Sequence, residues 1–542
     1  MGDPASFPYS SPPIEGKSRS VAGAAGSVSA ATMISRVLAM FREMVMSAYF
    51  GAGLFTDAFN VAFRVPNMLR DLFAEGALSS AFVPTFIRTL THEGRDRAWL
   101  LANRVINALI VILGAFTLLI YFGAKGFVYL LAASYANIPQ KMELTIQMTR
   151  IMSPFLLCVA LAAVVMGMLN AFGSFFIPAM APSAFNVCCI LAGIFLSPFM
   201  PRFGLEPVVS MAIGALVGGA SQFLAQLPTA YRLGYRYCPT IDFTDPALRH
   251  MAKLMLPAVI GLSATQINIL VDSQLAASYG NGPVSWLGYA FRLMQLPIGL
   301  FGVAIATATL ATVSHHAAQQ ASEKLRETVT SSLRLAACLT FPSTVGLIIF
   351  REEIIRLLYQ RGSFHASDTV QTGKVLLFYA TALFAFSAIK ILVPTFYALN
   401  DTRTPVRISI ISVGVKVAIN FLLVIPLGYL GLALATAISS WFSLMLLLHS
   451  LMRRLNQTMS WRDLVPYLRI ALASLGMGLL SLAAHRLSGM VFKGHGAMVV
   501  AVNLGVGIVA GTVSVIPLLR LFGVDEIDEL SRLVRRKLGW QK

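Results

Sequence analysis

The sequence predicts an all-α polytopic membrane protein with about fourteen transmembrane helices: two six-helix lobes in pseudo-twofold relation, plus two C-terminal helices. Three observations carry this. Of 542 residues, 56% are hydrophobic and 12% charged, about half the roughly 25% charge of a soluble chain. With a mean hydropathy of +0.72 and 35 Phe, a soluble fold would leave large apolar patches on its surface. Apolar segments of roughly 20 residues recur along the chain. Part of the pattern repeats: Ala62-Phe63-Arg64 with Leu72-Phe73 returns as Ala290-Phe291-Arg292 with Leu300-Phe301, displaced by 228, and Leu169-Asn170 with Pro178 returns as Leu399-Asn400 with Pro405, displaced by 230 and 227.

Taken in order, residues 1–25 are rich in Pro, Ser and Gly, with no apolar run ending at a cleavage site, and read as a disordered cytoplasmic tail. Segments near 26–50, 56–88, 100–123, 146–173, 177–200 and 208–231 make the N-terminal lobe, 26–232. Those near 254–280, 284–316, 330–350, 370–399, 405–427 and 429–451 make the C-terminal lobe, 248–452. Six is even, so both lobes enter the membrane the same way and their axis runs along its normal. That arrangement puts a substrate site between the lobes. Segments 465–486 and 496–520 (unit 463–521) fall outside the repeat, and 525–542 reads as an amphipathic helix on the membrane surface.

Loops assigned alternately give about 24 Lys/Arg on the N-terminal side and about 8 on the other, which places both termini in the cytoplasm. The connections Gly51 to Thr56, Tyr279 to Pro283 and Pro426 to Gly431 are short and lack Lys and Arg, as external hairpins do. The net charge of +18 follows mainly from these basic loops and implies no nucleic acid. The five cysteines form no CxxC pair and read as small core residues. Walker A, HExxH, GxSxG and Cys/His metal patterns are all missing, so neither a cofactor nor an enzyme is expected.

Charges inside the apolar segments carry the functional signal. Arg36 and Arg42 lie in the first, Arg64 and Arg70 in the second, Arg292 in the eighth, each costing about 2.5–3.5 kcal/mol at a helix centre. Guanidinium keeps its proton, and its planar fork suits phosphate. The competing reading pairs each arginine with Glu43, Asp57, Asp71 or Glu75. Five arginines against four acids still leave positive charge for a ligand. Glu43 is seven residues from Arg36 and shares its helix face, so it is expected to orient Arg36. Pro66 is expected to kink the second helix. Asp272, Lys416, Asn420 and Thr436 offer an ion-coupling set, unless the Lys416 ammonium stands in for the cation.

The run Ser35-Arg36-Val37-Leu38, Phe41-Arg42-Glu43, Thr56-Asp57-Ala58-Phe59, Pro66-Asn67, Leu69-Arg70 and Phe73-Ala74-Glu75-Gly76-Ala77, continued by Arg292-Leu293-Met294, Arg361-Gly362 and Asp401-Thr402-Arg403-Thr404-Pro405, resembles the lipid II flippases of the MurJ (MviN) family. The resemblance covers nearly everything after the tail. It implies the fold of the multidrug/oligosaccharidyl-lipid/polysaccharide exporter superfamily, with the last two helices forming a groove for a lipid tail. The implied cargo is lipid II, undecaprenyl diphosphate carrying the peptidoglycan muropeptide, moved by alternating access across the bacterial inner membrane. Membrane lipids and cell-wall synthesis machinery are the other implied partners. Arg36, Arg42, Arg70 and Arg292 match the family's cavity arginines and Asp57 its second-helix acid. Phe291 stands where some members have Asp, leaving Arg292 to find another partner. Lys416 at a position matching the family's sodium site puts sodium in doubt and favours membrane potential as the driver. The alternative is another exporter of the superfamily, for polysaccharide-lipid or for drugs as a cation antiporter.

Overall fold

The computed structural model of the chain describes residues 21–72, 78–457, 461–494, 496–524 and 526. Its helices are α1 (Val21–Phe50), α2 (Leu54–Arg70), α3 (Ser79–His92), α4 (Arg95–Ala132), α5 (Pro139–Met152), α6 (Phe155–Ala171), α7 (Phe176–Leu191), α8 (Val209–Leu224), α9 (Leu227–Arg232), α10 (Pro246–Ala277), α11 (Pro283–Pro297), α12 (Val303–Ala318), α13 (Ser322–Ile349), α14 (Arg351–Tyr359), α15 (Ala366–Ala380), α16 (Leu383–Ala398), α17 (Arg403–Leu427), α18 (Leu430–Arg454), α19 (Trp461–Val491) and α20 (Ala497–Leu521). α1 begins inside the stretch expected to be a tail. The expected surface helix over 525–542 lies outside the described residues, except for Glu526, which pairs with Arg334.

Among the described residues ten helical stretches are long and apolar enough to cross a bilayer, and α15 with α16, bent by 43°, makes an eleventh. The expected segments 26–50, 56–88 and 254–280 coincide with α1, with α2 and α3, and with α10. Many large apolar side chains face outward: Ile425 is 86% exposed and Phe122 76%. Such a surface is soluble only in lipid.

α1 packs on α7, α7 on α8, α2 on α5, and α4 on α5 and α6 in the first lobe; α11 packs on α15, α12 on α13 and α16, and α17 on α18 in the second. Gly214 and Gly218 let α8 approach α7 closely: a Cβ on Gly218 would lie 3.0 Å from the Phe185 backbone. α19 and α20 pair with each other and dock on α13.

The repeat is visible as shared defects in the helices. The backbone widens to π-type turns at Asp71–Leu72 after α2 and at Ile298–Gly302 after α11, the same place at a displacement of 228. α2 runs through Pro66 and ends only at Arg70, so the break comes one turn later than the proline predicts. α6 and α16 both end on left-handed residues, Gly173 (φ +76°) and Asn400 (φ +57°), 227 apart.

A strap between the lobes is bolted to the first. Asn103 donates to Arg236 O, and Asn107 to Cys238 O and Thr240 O. Asp245 caps α10 through Ala247 N at 2.7 Å and takes Arg97 at 3.3 Å and also Arg104. Burial opposes ionisation of Asp245, but Arg104 and the two cap amides outweigh it and hold the carboxyl below its usual range. Because the folded value is the lower one, its stabilisation is complete above the ordinary carboxylate range and is lost as pH falls through the folded value.

Candidate functional site

The hairpin ends of the two lobes meet at a seal built on buried charge. Asp57 and Lys141 are both fully buried and pair at 3.0 Å. Asp57 also accepts from Gly282 N at 2.7 Å, from Ser285 N at 2.9 Å and from Ser285 Oγ at 2.5 Å, which caps the N-terminus of α11. Lys141 Nζ donates in addition to Gly280 O and Asn281 Oδ1. Asp57 and Ser285 are 228 apart, so each is the repeat equivalent of the other. Only residues beside a twofold axis can touch their own equivalents, so the axis passes here.

Contacts further out also join the two lobes. Ser363 N donates to Ala48 O at the end of α1, and Ala133 N donates to Gln274 Oε1 near the end of α10. Gln274 returns its amide to Tyr129 O and Leu130 O. Tyr289 OH reaches Gly51 O at 3.2 Å. Gly51 and Gly362 have positive φ and lie so close to the opposite backbone that a Cβ would fall 2.3 Å from Ser363 O or 2.1 Å from Ala48 O.

A cavity of about 620 Å³ lies between α1, α11 and α16, with Arg36, Arg42, Glu43, Phe291, Arg292, Tyr359, Phe386 and Lys390 in its wall. Four cations thus face one carboxylate. Glu43, 5% exposed, is shared: Oε1 takes Arg42 Nη2 at 2.6 Å and Oε2 takes Arg292 from the other lobe. The expected Glu43–Arg36 pairing is therefore corrected. Arg42 wraps over the Phe185 ring at 5.3 Å and reaches Glu43 first, and Arg292 satisfies the second oxygen. This also answers the Phe291 departure, because the partner of Arg292 comes from α1, while Phe291 packs edge-on against Tyr379. The Arg36 guanidinium lies against Gly299, where a Cβ would sit 1.7 Å from Nη1. Among the described residues Arg36 and Lys390 have no carboxylate partner.

The other expected residues among those described lie outside the wall of this cavity. Arg64 donates to Ser273 Oγ of α10. Arg70 pairs with Asp71 at 2.8 Å and is not in the cavity wall. Asp57 belongs to the seal. Glu75 lies outside the described residues. Asp272 accepts from Lys416 Nζ at 2.7 Å and from Asn420 Nδ2 at 2.8 Å, whereas the Thr436 hydroxyl is spent on Leu432 O of its own helix.

Lys141, Ser285 and Lys390 escaped the sequence reading. Lys390 carries the same signal as the arginines, a charge inside an apolar segment. Ser285 is reachable only by adding 228 to Asp57. Lys141 sits just before its apolar run and looks like a loop residue until the fold buries it.

Over residues 46–502 the chain matches the sequence model of the family described as Lipid II flippase MurJ. The Lipid II flippase MurJ of Burkholderia cenocepacia is 33% identical over 431 residues, covering 79% of this chain and 83% of that protein. A solved structure described as "Lipid II flippase MurJ, inward closed conformation" aligns with a TM-score of 0.74 at 27% identity, over 94% of this chain and 99% of that one. A multidrug resistance MATE family transporter of the MOP superfamily, in an inward-facing conformation, aligns with a TM-score of 0.65 over 80% of this chain and 98% of that one; at 15% identity it shares the fold alone. A family model spanning most of the sequence and a relative above 30% identity along most of its length lead to one assignment: this multi-pass membrane protein belongs to the lipid II flippase MurJ family.

Proposed function

We propose that the chain moves lipid II from the cytoplasmic to the outer leaflet of the bacterial inner membrane by alternating access, with both termini cytoplasmic. The observation that carries this reading is the cavity wall, where four cations face one carboxylate. Such a wall attracts a diphosphate and repels a cationic drug. The sealed hairpin end leaves loading to the basic, cytoplasmic end. A second, apolar cavity of about 280 Å³ between α13, α16, α18 and α19, lined by Phe341, Phe384, Trp441 and Leu475, supports a path for the lipid tail.

Membrane potential is the driver this geometry favours. Both oxygens of Asp272 are already engaged by Lys416 and Asn420, so a tethered ammonium occupies the place of a coupling sodium ion. The excess positive charge of the site feels about 2.3 kcal/mol per charge carried across 100 mV. In vesicles holding the purified chain and labelled lipid II, translocation is expected to rise with an imposed potential and to stay level under a sodium gradient. A rate that follows sodium and ignores potential contradicts this.

Gly299→Ala tests the berth of Arg36. The intruding Cβ meets the tip of a flexible side chain, so folding is expected to cost less than about 1 kcal/mol, offset by the better helix propensity of Ala. The displaced guanidinium is expected to lower translocation about tenfold, the equivalent of roughly 1.4 kcal/mol. Unchanged translocation with an unchanged melting temperature removes Arg36 from the site.

A further inference from the structure

Arg64 and Arg292 are repeat equivalents, and among the described residues only Arg292 pairs directly with a carboxylate. Glu43 of α1 takes Arg292 of α11. At a displacement of 228 the equivalent of Arg292 is Arg64, and the equivalent of Glu43 falls at Val271, beside Asp272. Asp272 of α10 is the acid next to that position, and its charge is the one that Arg64 of α2 feels most strongly. Yet Lys416 and Asn420, both from α17, hold the two oxygens of Asp272 at 2.7 and 2.8 Å. Arg64 is left with the hydroxyl of the next residue, Ser273, which itself donates to Ile269 O at 2.8 Å. A guanidinium offers five N–H donors, and among the described residues Arg64 has no carboxylate partner. Arg64 and Arg292 each lie seven residues beyond the Asp57–Ser285 contact, about 10 Å at 1.5 Å per residue, and so stand at one depth on either side of the axis.

We propose that Lys416 is a positioning residue: by holding Asp272 it withholds that carboxylate from Arg64 and keeps Arg64 available to a diphosphate opposite Arg292. The lysine thereby raises the positive charge of the site without touching the cargo, because the direct ion pair of Asp272 is with Lys416 while Arg64, which feels Asp272 only at longer range, makes no ion pair of its own among the described residues. Without the lysine, Asp272 closes on Arg64 and repeats the Glu43–Arg292 pair. This rests on the flippase reading above and adds a group to its site.

The test is a mutant cycle on the purified full chain, with inorganic pyrophosphate as the probe at fixed ionic strength. Each variant is first checked for monodispersity and melting temperature. Arg64→Ala is expected to weaken pyrophosphate binding about tenfold. Lys416→Met is expected to weaken it to a similar degree, and adding Arg64→Ala to Lys416→Met to change nothing further. In Lys416→Met/Asp272→Asn binding returns to near the parent value and Arg64→Ala costs about tenfold again. Lys416→Arg keeps the parent affinity. Should Lys416→Met fail to fold, Lys416→Gln takes its place in the same cycle. A purely structural lysine lowers the melting temperature but leaves the cost of Arg64→Ala the same in every background, and that result overturns the proposal. Arg292→Ala separates the two levels. If it abolishes pyrophosphate binding while the cycle shows no coupling, this inference alone fails; if it leaves binding intact, the flippase site itself is misplaced.

Discussion

Replacing Arg292 by alanine is expected to lower lipid II translocation about 30-fold, corresponding to roughly 2 kcal/mol for the loss of a charge-assisted contact to the diphosphate. Membrane insertion is expected to be unaffected, since α11 keeps its apolar packing on α15. One of the four cations in the cavity wall disappears, so the wall's balance against Glu43 falls from three excess positive charges to two, and Glu43 is left with Arg42 alone. Arg292→Lys keeps the charge but not the planar fork and is expected to fall between the two. Removing Glu43 acts in the opposite sense on charge: Glu43→Gln frees both arginines and is expected to raise affinity for the diphosphate while slowing its release. Transport by Arg292→Ala at the parent rate would remove this residue from the site.

The second large effect lies at the seal. Asp57→Asn leaves the Lys141 ammonium buried without a counter-charge, held by the neutral oxygens of Gly280 and Asn281 and by the Tyr135 ring at 4.1 Å. Breaking a buried pair from one side costs about 3–5 kcal/mol, and the whole of that cost falls on the conformation in which the hairpin ends are closed. The closed-to-open ratio is therefore expected to drop by about two orders of magnitude or more. Spin labels at Phe55 and Arg361, on opposite lobes at the hairpin end, read this out: the parent gives one short distance and Asp57→Asn a dominant long one. Asp57→Asn with Lys141→Met leaves no lone buried charge and is expected to return part of the way. A short distance retained in the single variant means that the seal does not depend on this pair.

Much of the fold is legible because lipid imposes it. A chain that must satisfy its backbone inside a bilayer can only repeat long helices, and the 228-residue displacement then orders them into two lobes. The same displacement held more information than residue matching extracts, since it predicts that Asp57 faces Ser285 and that Arg64 faces the same axis as Arg292. Of the five arginines that stand out as charges in apolar segments, Arg36, Arg42 and Arg292 line one cavity, whereas Arg70 is paired with Asp71 outside it, as the competing reading has it. Partner choice was not legible. Helical spacing puts Glu43 beneath Arg36, but it knows nothing of Arg292 approaching from the other lobe or of Phe185 drawing in Arg42. Lys141 was hidden for a related reason: Asp57 and Tyr135 of its own lobe bury it together with Gly280 and Asn281 of the other, and nothing in its immediate sequence records that.

Passage of the cargo's charged head through the cavity between α1 and α11 is open to photo-crosslinking. A photoreactive residue in place of Met40 in the cavity wall, with the chain in membranes supplied with lipid II, is expected to capture the headgroup, and Arg292→Ala is expected to abolish the capture. Headgroup capture that is missing from Met40, or that persists undiminished without Arg292, would contradict the account.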